Sequence, residues 1–302
     1  MSRSRRVLTA LATFAAVCVI AFFVVELTPG DITTARFGTG GNAVARESLR
    51  RALGIDAPLF VRLFRWLGHL MRFDLGNSLS DGEPVLRKIL ERLPMSLLLA
   101  VMSLALAWAI ALPLAMRRAQ RGRSEAAGTI ELALVALAYA MPLPALALIM
   151  LACGAGYGAT LGGVLAAAVC LLPLLVPRIY AHCVRALDDA LAGDDARTLR
   201  AVGASPSRVA QLALRSSALR LLTLVSLQLP ALLSGVVLVE GIFGIPGLGT
   251  LAFDALASRD HSVQLGLLIV GAAITIGCAL IVDLVAPRLD PRLGATTRAA
   301  RE

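Results

Sequence analysis

The sequence has little charge, few aromatic residues and a single lysine. Of its 302 residues, 16% are charged and 5% are aromatic, whereas 58% are hydrophobic. Soluble domains are usually about one quarter charged, so this composition argues against an ordinary soluble protein. The single lysine, Lys88, lies in "LRKIL" without a glycine-rich loop before it. Because a phosphate-binding GxxxxGK[ST] loop needs its lysine, the chain has no such loop of its own.

Cysteine and histidine are too scattered to suggest a site. Four of the five cysteines lie in apolar runs and Cys183 lies at the edge of one, so the long segment 28–93 contains none. This placement gives no disulfide framework. His182 stands beside Cys183 without the spacing of metal ligands. We find no acid–base or nucleophile constellation either, and we predict a non-catalytic chain that binds no metal or cofactor.

The sequence is rich in long apolar runs. A transmembrane helix takes about 20 residues. Lipid admits only helices and closed barrels, and these runs lack the alternation of barrel strands. We therefore predict an all-α fold, a polytopic membrane helix bundle. Its six predicted transmembrane helices are 7–27, 94–116, 129–152, 160–180, 221–240 and 265–287.

The first run has two interpretations. Arg3, Arg5 and Arg6 precede it, as in the n-region of a signal peptide. However, its apolar core is long, and the "VVELTPGD" that follows offers no small-x-small cleavage site. We therefore interpret this run as a retained first span.

The net charge of +9 comes from arginines that cluster in alternate loops. With a cytoplasmic N-terminus, the cytoplasmic clusters are 3–6, 117–123, 178–220 and 288–301, whereas "CGAGYGAT" on the other side is uncharged. This is the positive-inside pattern, from which long loops such as 28–93 are exempt. It places both termini in the cytoplasm. The arginines thus indicate topology in a lipid bilayer, and we predict no nucleic-acid partner.

The chain divides into three predicted segments. Residues 1–93 contain the first span and a long extracytoplasmic loop with amphipathic helices, 94–290 form a five-span core, and 291–302 form a cytoplasmic tail. In the loop, "LFVRLFRWLGHLMRF" separates an apolar face from an arginine face, which predicts a helix lying on the membrane surface or on the bundle. Pro94 is predicted to start the second span.

Four acidic residues lie near the ends of apolar runs, namely Glu26, Glu131, Glu240 and Asp283. Acids buried within a membrane would suggest an ion-coupled carrier. At these positions the side chains are expected to reach the interface, and they therefore disfavour a proton relay.

A polar insert, "DDARTLRAVGASPSRV" at 194–209, separates two apolar runs. Asp194 or Asp195 is suited to cap a helix, and Gly203 to end it in the left-handed conformation. Ser205 is then suited to cap a second helix with Pro206 at its first position. A solvated loop needs neither two caps nor a tight turn, so we favour a docking element near 195–208, on the cytoplasmic side.

A second turn is predicted at "GIPGLG", where three glycines and a proline fall within six residues. In the predicted topology, 244–264 lies at the extracytoplasmic mouth. We interpret Pro246, Gly247, Leu248 and Gly249 as a re-entrant or gate-lining turn. An ordinary connecting loop is the alternative.

The polar insert resembles the coupling helix of bacterial ABC-transporter permeases of the dipeptide, oligopeptide and nickel importer class. Their general pattern is EAA followed by xxxG, and in the peptide class it usually begins Arg-Thr-Ala. The resemblance extends over nearly the whole chain, through "PGD" at 29–31, "DLGNSL" at 74–79, the Pro-Gly-Leu-Gly at 246–249 and "DPRLG" at 290–294. Two departures are Leu199, where alanine is usual, and a shorter outer segment at 152–164.

This resemblance implies a type I ABC importer permease fold in the bacterial cytoplasmic (inner) membrane. It implies a second homologous permease, two ABC ATPase subunits that bind ATP and Mg²⁺, and an extracytoplasmic substrate-binding protein. ATPase closure would move the coupling helix and rock the spans between inward- and outward-open states. The residues implied in ATPase coupling are Arg197, Thr198, Leu199, Arg200, Ala201, Gly203, Ser205 and Pro206.

Several functions stay open at the level of sequence. Di- or oligopeptides are the favoured cargo, and nickel, a metal–chelator complex, an opine or glutathione would fit the same class. A secondary transporter or channel without an ATPase is a second class of protein. A membrane scaffold that transports nothing is a third.

Overall fold

The computed structural model describes residues 3–27, 57–121 and 142–289. Within these ranges the chain forms ten helices and no strand, apart from one isolated bridge between Asn77 and Pro84. The all-α prediction is confirmed. In chain order the helices are α1 (Arg3–Glu26), α2 (Leu59–Leu70), α3 (Val85–Arg121), α4 (Leu143–Ala152), α5 (Leu161–Cys170), α6 (Leu172–Ala192), α7 (Asp194–Ala201), α8 (Pro206–Phe243), α9 (Leu248–Ala257) and α10 (His261–Leu289).

Several predictions fall on other parts of the chain. The "PGD" at 29–31, Glu131, most of the third apolar run and the tail at 291–302 all lie outside the described residues. The division of the chain after residue 93 stays a prediction.

Three of the helices are individually long and apolar enough to cross a bilayer. They contain the segments Ser4–Glu26, Val85–Gln120 and His261–Val282, which cover most of the first, second and sixth predicted runs. Two bent pairs pass the same test together: α5 with α6, and the last turns of α8 with α9. The described residues thus contain three to five candidate spans.

The fourth predicted run is not one straight helix. A break at Leu171 separates α5 from α6, and the two helices are bent by 46°. Pro173 lies in the first turn of α6. Proline lacks the N–H that would continue the preceding helix, and its ring crowds the carbonyl four residues earlier, so the helix restarts there in a new direction.

The predicted start of the second span at Pro94 is wrong. Val85–Arg121 is one continuous helix of 37 residues, with Pro94 and Pro113 inside it. Each proline removes one internal hydrogen bond, a loss that helices in a membrane tolerate where neighbouring groups satisfy the freed carbonyl.

The main core lies where α3, α5, α6 and α8 meet. Ala107, Ala111 and Ala115 repeat every four residues on one face of α3 and are buried. Small side chains let membrane helices approach closely, and α3 packs more extensively on α6 than on any other described helix. On the side of the bundle, α1 packs along α10, and α2 joins them through Phe22 and Trp66, whose ring centroids are 5.5 Å apart.

Candidate functional site

The polar insert forms a short helix, α7, between the long helices α6 and α8. Five of the predicted coupling residues lie in α7 (Asp194–Ala201): Arg197, Thr198, Leu199, Arg200 and Ala201. Gly203 lies in the turn that follows, Ser205 is the N-cap of α8, and Pro206 is the first residue of α8. The predicted helix–turn–helix is confirmed, whereas the role of these residues in coupling stays a prediction.

The predicted cap of α7 is wrong by one residue. Gly193 is the N-cap, and Asp194 and Asp195 occupy the first turn. Since Gly193 already has the extended backbone that this position needs, the two aspartates act on the helix as charges. Acidic side chains in the first turn and Arg200 in the last turn oppose the helix dipole, so α7 is stabilised at both ends.

Gly203 ends α7 in the left-handed conformation, as predicted, with φ of +75°. Its N–H donates to the Arg200 carbonyl at 3.1 Å, and the N–H of Ala204 donates to the Leu199 carbonyl at 3.0 Å. This pair of bonds is a Schellman motif. It fixes the turn by backbone hydrogen bonds alone.

The bundle supports α7 from one side. Ala196 is buried against α6 and α8, and these two helices are joined beneath it. Ser217 donates to the Ala186 carbonyl at 2.8 Å, and Arg220 pairs with Asp189 at 3.0 Å. The opposite side of α7 is open, and Val202, just after the helix, is 74% exposed. The helix α7 is thus anchored on the bundle by one side, and its other side exposes a mixed basic and apolar surface to solvent.

The second predicted site, the turn from α8 into α9, folds back sharply. Gly244 ends α8 with φ of +65°, and the last turns of α8 make an angle of 73° with α9. Pro246 is exposed, Leu248 begins α9, and Gly247 and Gly249 are buried. The tight turn is confirmed, and its place at an extracytoplasmic mouth stays a prediction.

Glu240 lies at the centre of this turn. One of its carboxylate oxygens accepts from the N–H of Gly249 at 2.6 Å, and the side chain is fully buried. A Cβ on Gly247 would collide with the Glu240 carboxylate, and one on Gly249 would collide with the Val237 backbone and with the same carboxylate. The expectation that Glu240 reaches the interface is therefore wrong, because the chain folds the start of α9 over it. Glu26 is also largely buried, and it pairs with Arg62.

The turn is also tied to α3 and to the loop before it. Ser96 of α3 accepts from the N–H of Leu248 at 2.8 Å, and Arg92 donates to Thr250 at 3.1 Å. At the other end of α9, buried Asp260 accepts from the Ser78 hydroxyl at 2.6 Å. Both ends of α9 are thus bonded to the segment around the start of α3.

The short segment at 152–164 packs on the same turn. The N–H of Gly158 donates to the Phe243 carbonyl at 2.7 Å. The Tyr157 ring covers Gly244 so closely that a Cβ there would strike it. Although this segment is shorter than in the family resembled, it is fixed to the end of α8.

Sequence reasoning missed Glu240, Ser96 and Asp260 as parts of this site. The signal for Glu240 was present in "EGIFGIPGLG", where two glycines follow the acid at seven and nine residues. Because glycine has no Cβ, it leaves room for a neighbouring group. For Ser96 and Asp260 the partners lie far away in sequence, and no local pattern announces them.

Comparison with known proteins agrees with this architecture. Residues 109–295 match the binding-protein-dependent transport system inner membrane component, and residues 3–100 match the N-terminal region of such membrane components. The chain is 29% identical to an oligopeptide transport system permease protein of Bacillus subtilis, over 96% of this chain and 98% of the relative. It is 28% identical to a probable peptide ABC transporter permease protein of Sinorhizobium fredii and to a glutathione transport system permease protein of Salmonella paratyphi A, in each case over 96% of this chain and 97% of the relative. The chain belongs to the family of binding-protein-dependent transport system inner membrane components, the permease subunits of ABC transporters.

Proposed function

We propose that this permease imports a small solute, most simply a di- or oligopeptide, across the bacterial cytoplasmic membrane by ATP-driven alternating access. The observation that carries the proposal is α7. It is a capped helix anchored through Ala196 at the junction of α6 and α8, with its other side open. A surface of this kind suits a partner that pushes, because force applied to it passes directly into two long helices.

The partners follow from this reading of α7. Of two ABC ATPase subunits in the complex, one holds α7 in a groove on the cytoplasmic side. The two ATPases bind the ATP and Mg²⁺, so that this chain is non-catalytic. A second homologous permease completes the pathway, and an extracytoplasmic binding protein delivers the solute. Both termini of the chain lie in the cytoplasm.

The peptide assignment is supported by the relatives, whose names refer to peptide, oligopeptide and glutathione transport. Glutathione is itself a tripeptide, so the three names share one chemistry. Nickel or a metal–chelator complex is the alternative cargo.

A mechanical path joins the two sites. Helix α8 begins at Pro206, directly after the α7 turn, and ends at Phe243 beside the buried turn. At 1.5 Å per residue, its 38 residues span about 57 Å. Movement of α7 therefore displaces the base of the helix whose far end carries Glu240 and α9, which is what rigid-body alternating access requires.

The experiment is transport by the reconstituted complex. The permease is co-expressed with two ABC ATPase subunits and a second permease, and uptake of labelled di- and tripeptides is measured in proteoliposomes with ATP on the ATPase side. We expect uptake that depends on ATP and on the binding protein. Uptake driven by an ion gradient without any ATPase would indicate a secondary carrier. An assembled complex that takes up Ni²⁺ or a nickel chelate, and no peptide, would refute the peptide assignment alone.

A further inference from the structure

Helix α2 presents an apolar stripe that no described part of the protein covers. Phe60, Phe64 and Met71 are 67%, 70% and 84% exposed. They are separated by one and then two helical turns, so they share one face. Leu63, Trp66 and Leu67 occupy the neighbouring face and pack against α1 and α10. The helix thus has an anchored apolar face and, next to it, an open one.

Basic side chains border the open stripe on the side away from the bundle. Arg65 follows Phe64 and Arg72 follows Met71, and at 3.6 residues per turn each lies about 100° further round the helix. Both are exposed, and neither pairs with a carboxylate in the described ranges. Arg62, by contrast, points back to the bundle and pairs with Glu26. The free cations therefore lie along the edge of the stripe.

The contacts of α2 with α1 indicate how deep α2 lies relative to the bilayer. Its contact with α1 is through Phe22, Val25 and Glu26, at the end of the candidate span Ser4–Glu26. Leu27, directly after this contact, is itself an exposed apolar residue. Because this contact lies in the last turns of that candidate span, α2 is placed at the level where hydrocarbon gives way to headgroups.

The end of α2 adds a strained aromatic residue to the same region. Phe73 has φ of +58°, a left-handed conformation that bulky residues rarely adopt, and its side chain is 85% exposed. Strain of this kind persists where the surroundings compensate for it. A phenyl ring held out from the protein gains nothing in water, whereas it is stabilised when it enters a membrane interface.

We propose that α2 is an interfacial anchor that inserts Phe60, Phe64, Met71 and Phe73 among the acyl chains and binds anionic phospholipid headgroups through Arg65 and Arg72. A bilayer fits the observations better than a protein partner. An apolar stripe edged by arginines is the pattern of helices that lie in the membrane interface, and guanidinium groups on this edge reach phosphate by extending outward. The anchor would fix the level of α1 against the rest of the bundle during transport.

The test places an indole on each side of the helix. Phe64→Trp and the matched control His69→Trp, which lies on the water side, are purified with any accompanying subunits in nanodiscs. The emission of the parent sample, which includes that of Trp66 and Trp108, is subtracted. We expect acyl-brominated lipid to quench the indole of Phe64→Trp strongly and aqueous iodide to quench that of His69→Trp. Quenching of Phe64→Trp by iodide alone would overturn the proposal, and quenching by neither agent would mean that protein covers the stripe.

The headgroup contact is tested separately. Phosphatidylglycerol is titrated into the detergent-solubilised Phe64→Trp protein, with and without Arg65→Gln and Arg72→Gln, and phosphatidylcholine serves as the uncharged reference. Each arginine removed should raise the phosphatidylglycerol midpoint about fivefold and leave the phosphatidylcholine midpoint unchanged. Equal midpoints in all variants would refute the arginine contacts. Neither measurement depends on ATPase coupling or on the cargo, so the proposed import function stands or falls independently.

Discussion

Two turns at the ends of α8 use the same backbone device in opposite surroundings. Gly203, before α8, and Gly244, after it, both have a positive φ, of +75° and +65°. A Cβ on Gly203 would meet nothing within 4 Å, whereas one on Gly244 would strike the Tyr157 ring. The first turn is therefore specified by conformation alone, and the second by conformation and packing together.

This difference fits the work that each turn is proposed to do. The α7 turn leaves its surface free, so another subunit can hold it. The α8–α9 turn encloses Glu240 and is bonded to Ser96 and Gly158, so it moves only together with α3 and the segment before α5. The comparison teaches that a shared geometry, a glycine after a helix, says little about role until the residues around that glycine are known.

The comparison would fail most plainly if the two turns lay on the same side of the membrane, and cysteine labelling tests this. In a Cys153→Ser background, which removes an exposed native thiol, Tyr157→Cys should react with a membrane-impermeant maleimide added outside. Val202→Cys should react only in inverted vesicles. Each difference should be all-or-none, since the bilayer separates the sites. Labelling of Val202→Cys from outside would contradict both the topology and the docking role of α7.

The buried α8–α9 turn should be destabilised when a side chain is added at Gly247. Gly247→Val drives a branched side chain into the Glu240 carboxylate, and overpacking of this kind costs about 1–3 kcal/mol. We expect a lower unfolding temperature in detergent and loss of uptake. The matched control is Gly277→Val, since Gly277 in α10 has open space around it.

A double-mutant cycle sharpens this result. Glu240→Ala alone leaves the Gly249 N–H buried without its acceptor, at a cost of about 1–3 kcal/mol. It also removes the group that Gly247→Val strikes, so the double variant should be less destabilised than the sum of the two single variants, by about 0.5–3 kcal/mol. Simple additivity would mean that Gly247 and Glu240 do not share this space.

The open turn should tolerate bulk and reject only the wrong conformation. Gly203→Val adds strain of about 1–3 kcal/mol without a clash, so the protein should fold and pair with its partner permease. It should retain the ATPases poorly in a pull-down, or retain them without substrate-stimulated hydrolysis.

Two controls separate strain from position. Gly203→Asn should keep near-normal coupling, because asparagine adopts the left-handed conformation readily. Gly82→Val carries the same kind of strain in equally open space, with φ of +79°, and it should leave ATPase retention intact. Normal uptake by Gly203→Val would reduce the α7 turn to a loop.

The smallest effect concerns the loop beside the buried turn. Lys88 holds the pKa of Asp81 down at about 2. Because the folded pKa lies below the unfolded value of about 3.9, the contribution is fully present above about pH 4 and is lost as the pH falls through about 2. The Asp81 side chain is 47% exposed, and solvent screens the pair, so Asp81→Asn should cost only about 0.2–1 kcal/mol at neutral pH. Thermal unfolding at pH 7 measures this cost. A larger loss of stability would mean that the tightly packed surroundings of the α8–α9 turn extend into this loop.

Local chemistry made the α7 region predictable. Gly203, Ser205 and Pro206 each act within a few residues of their own position, by turning, capping or starting a helix, so their meaning can be read in sequence. The same holds for the long apolar runs, whose length and composition alone indicate spans.

Tertiary packing decided what the sequence left open. Pro94 begins one predicted apolar run and Pro173 lies inside another, yet α3 continues through the first and the chain bends at the second. No pattern around either proline distinguishes them, since the difference lies in what the neighbouring helices support. Glu240 is similar. Its position at the end of an apolar run suggested that its side chain reaches the interface, and only the return of α9 over it makes it the centre of a buried site.

The unbroken length of α3 has a consequence for leakage. Its 37 residues span about 55 Å, well beyond the roughly 30 Å of bilayer hydrocarbon. Ser96, about three turns inside α3, is bonded to α9, and the same helix packs along α6, which leads into α7. Because this one helix contacts both α9 and α6, a tilt of α3 would move the buried turn and the helix that leads into α7 together. A shared helix of this kind would link closure on one side of the membrane to opening on the other.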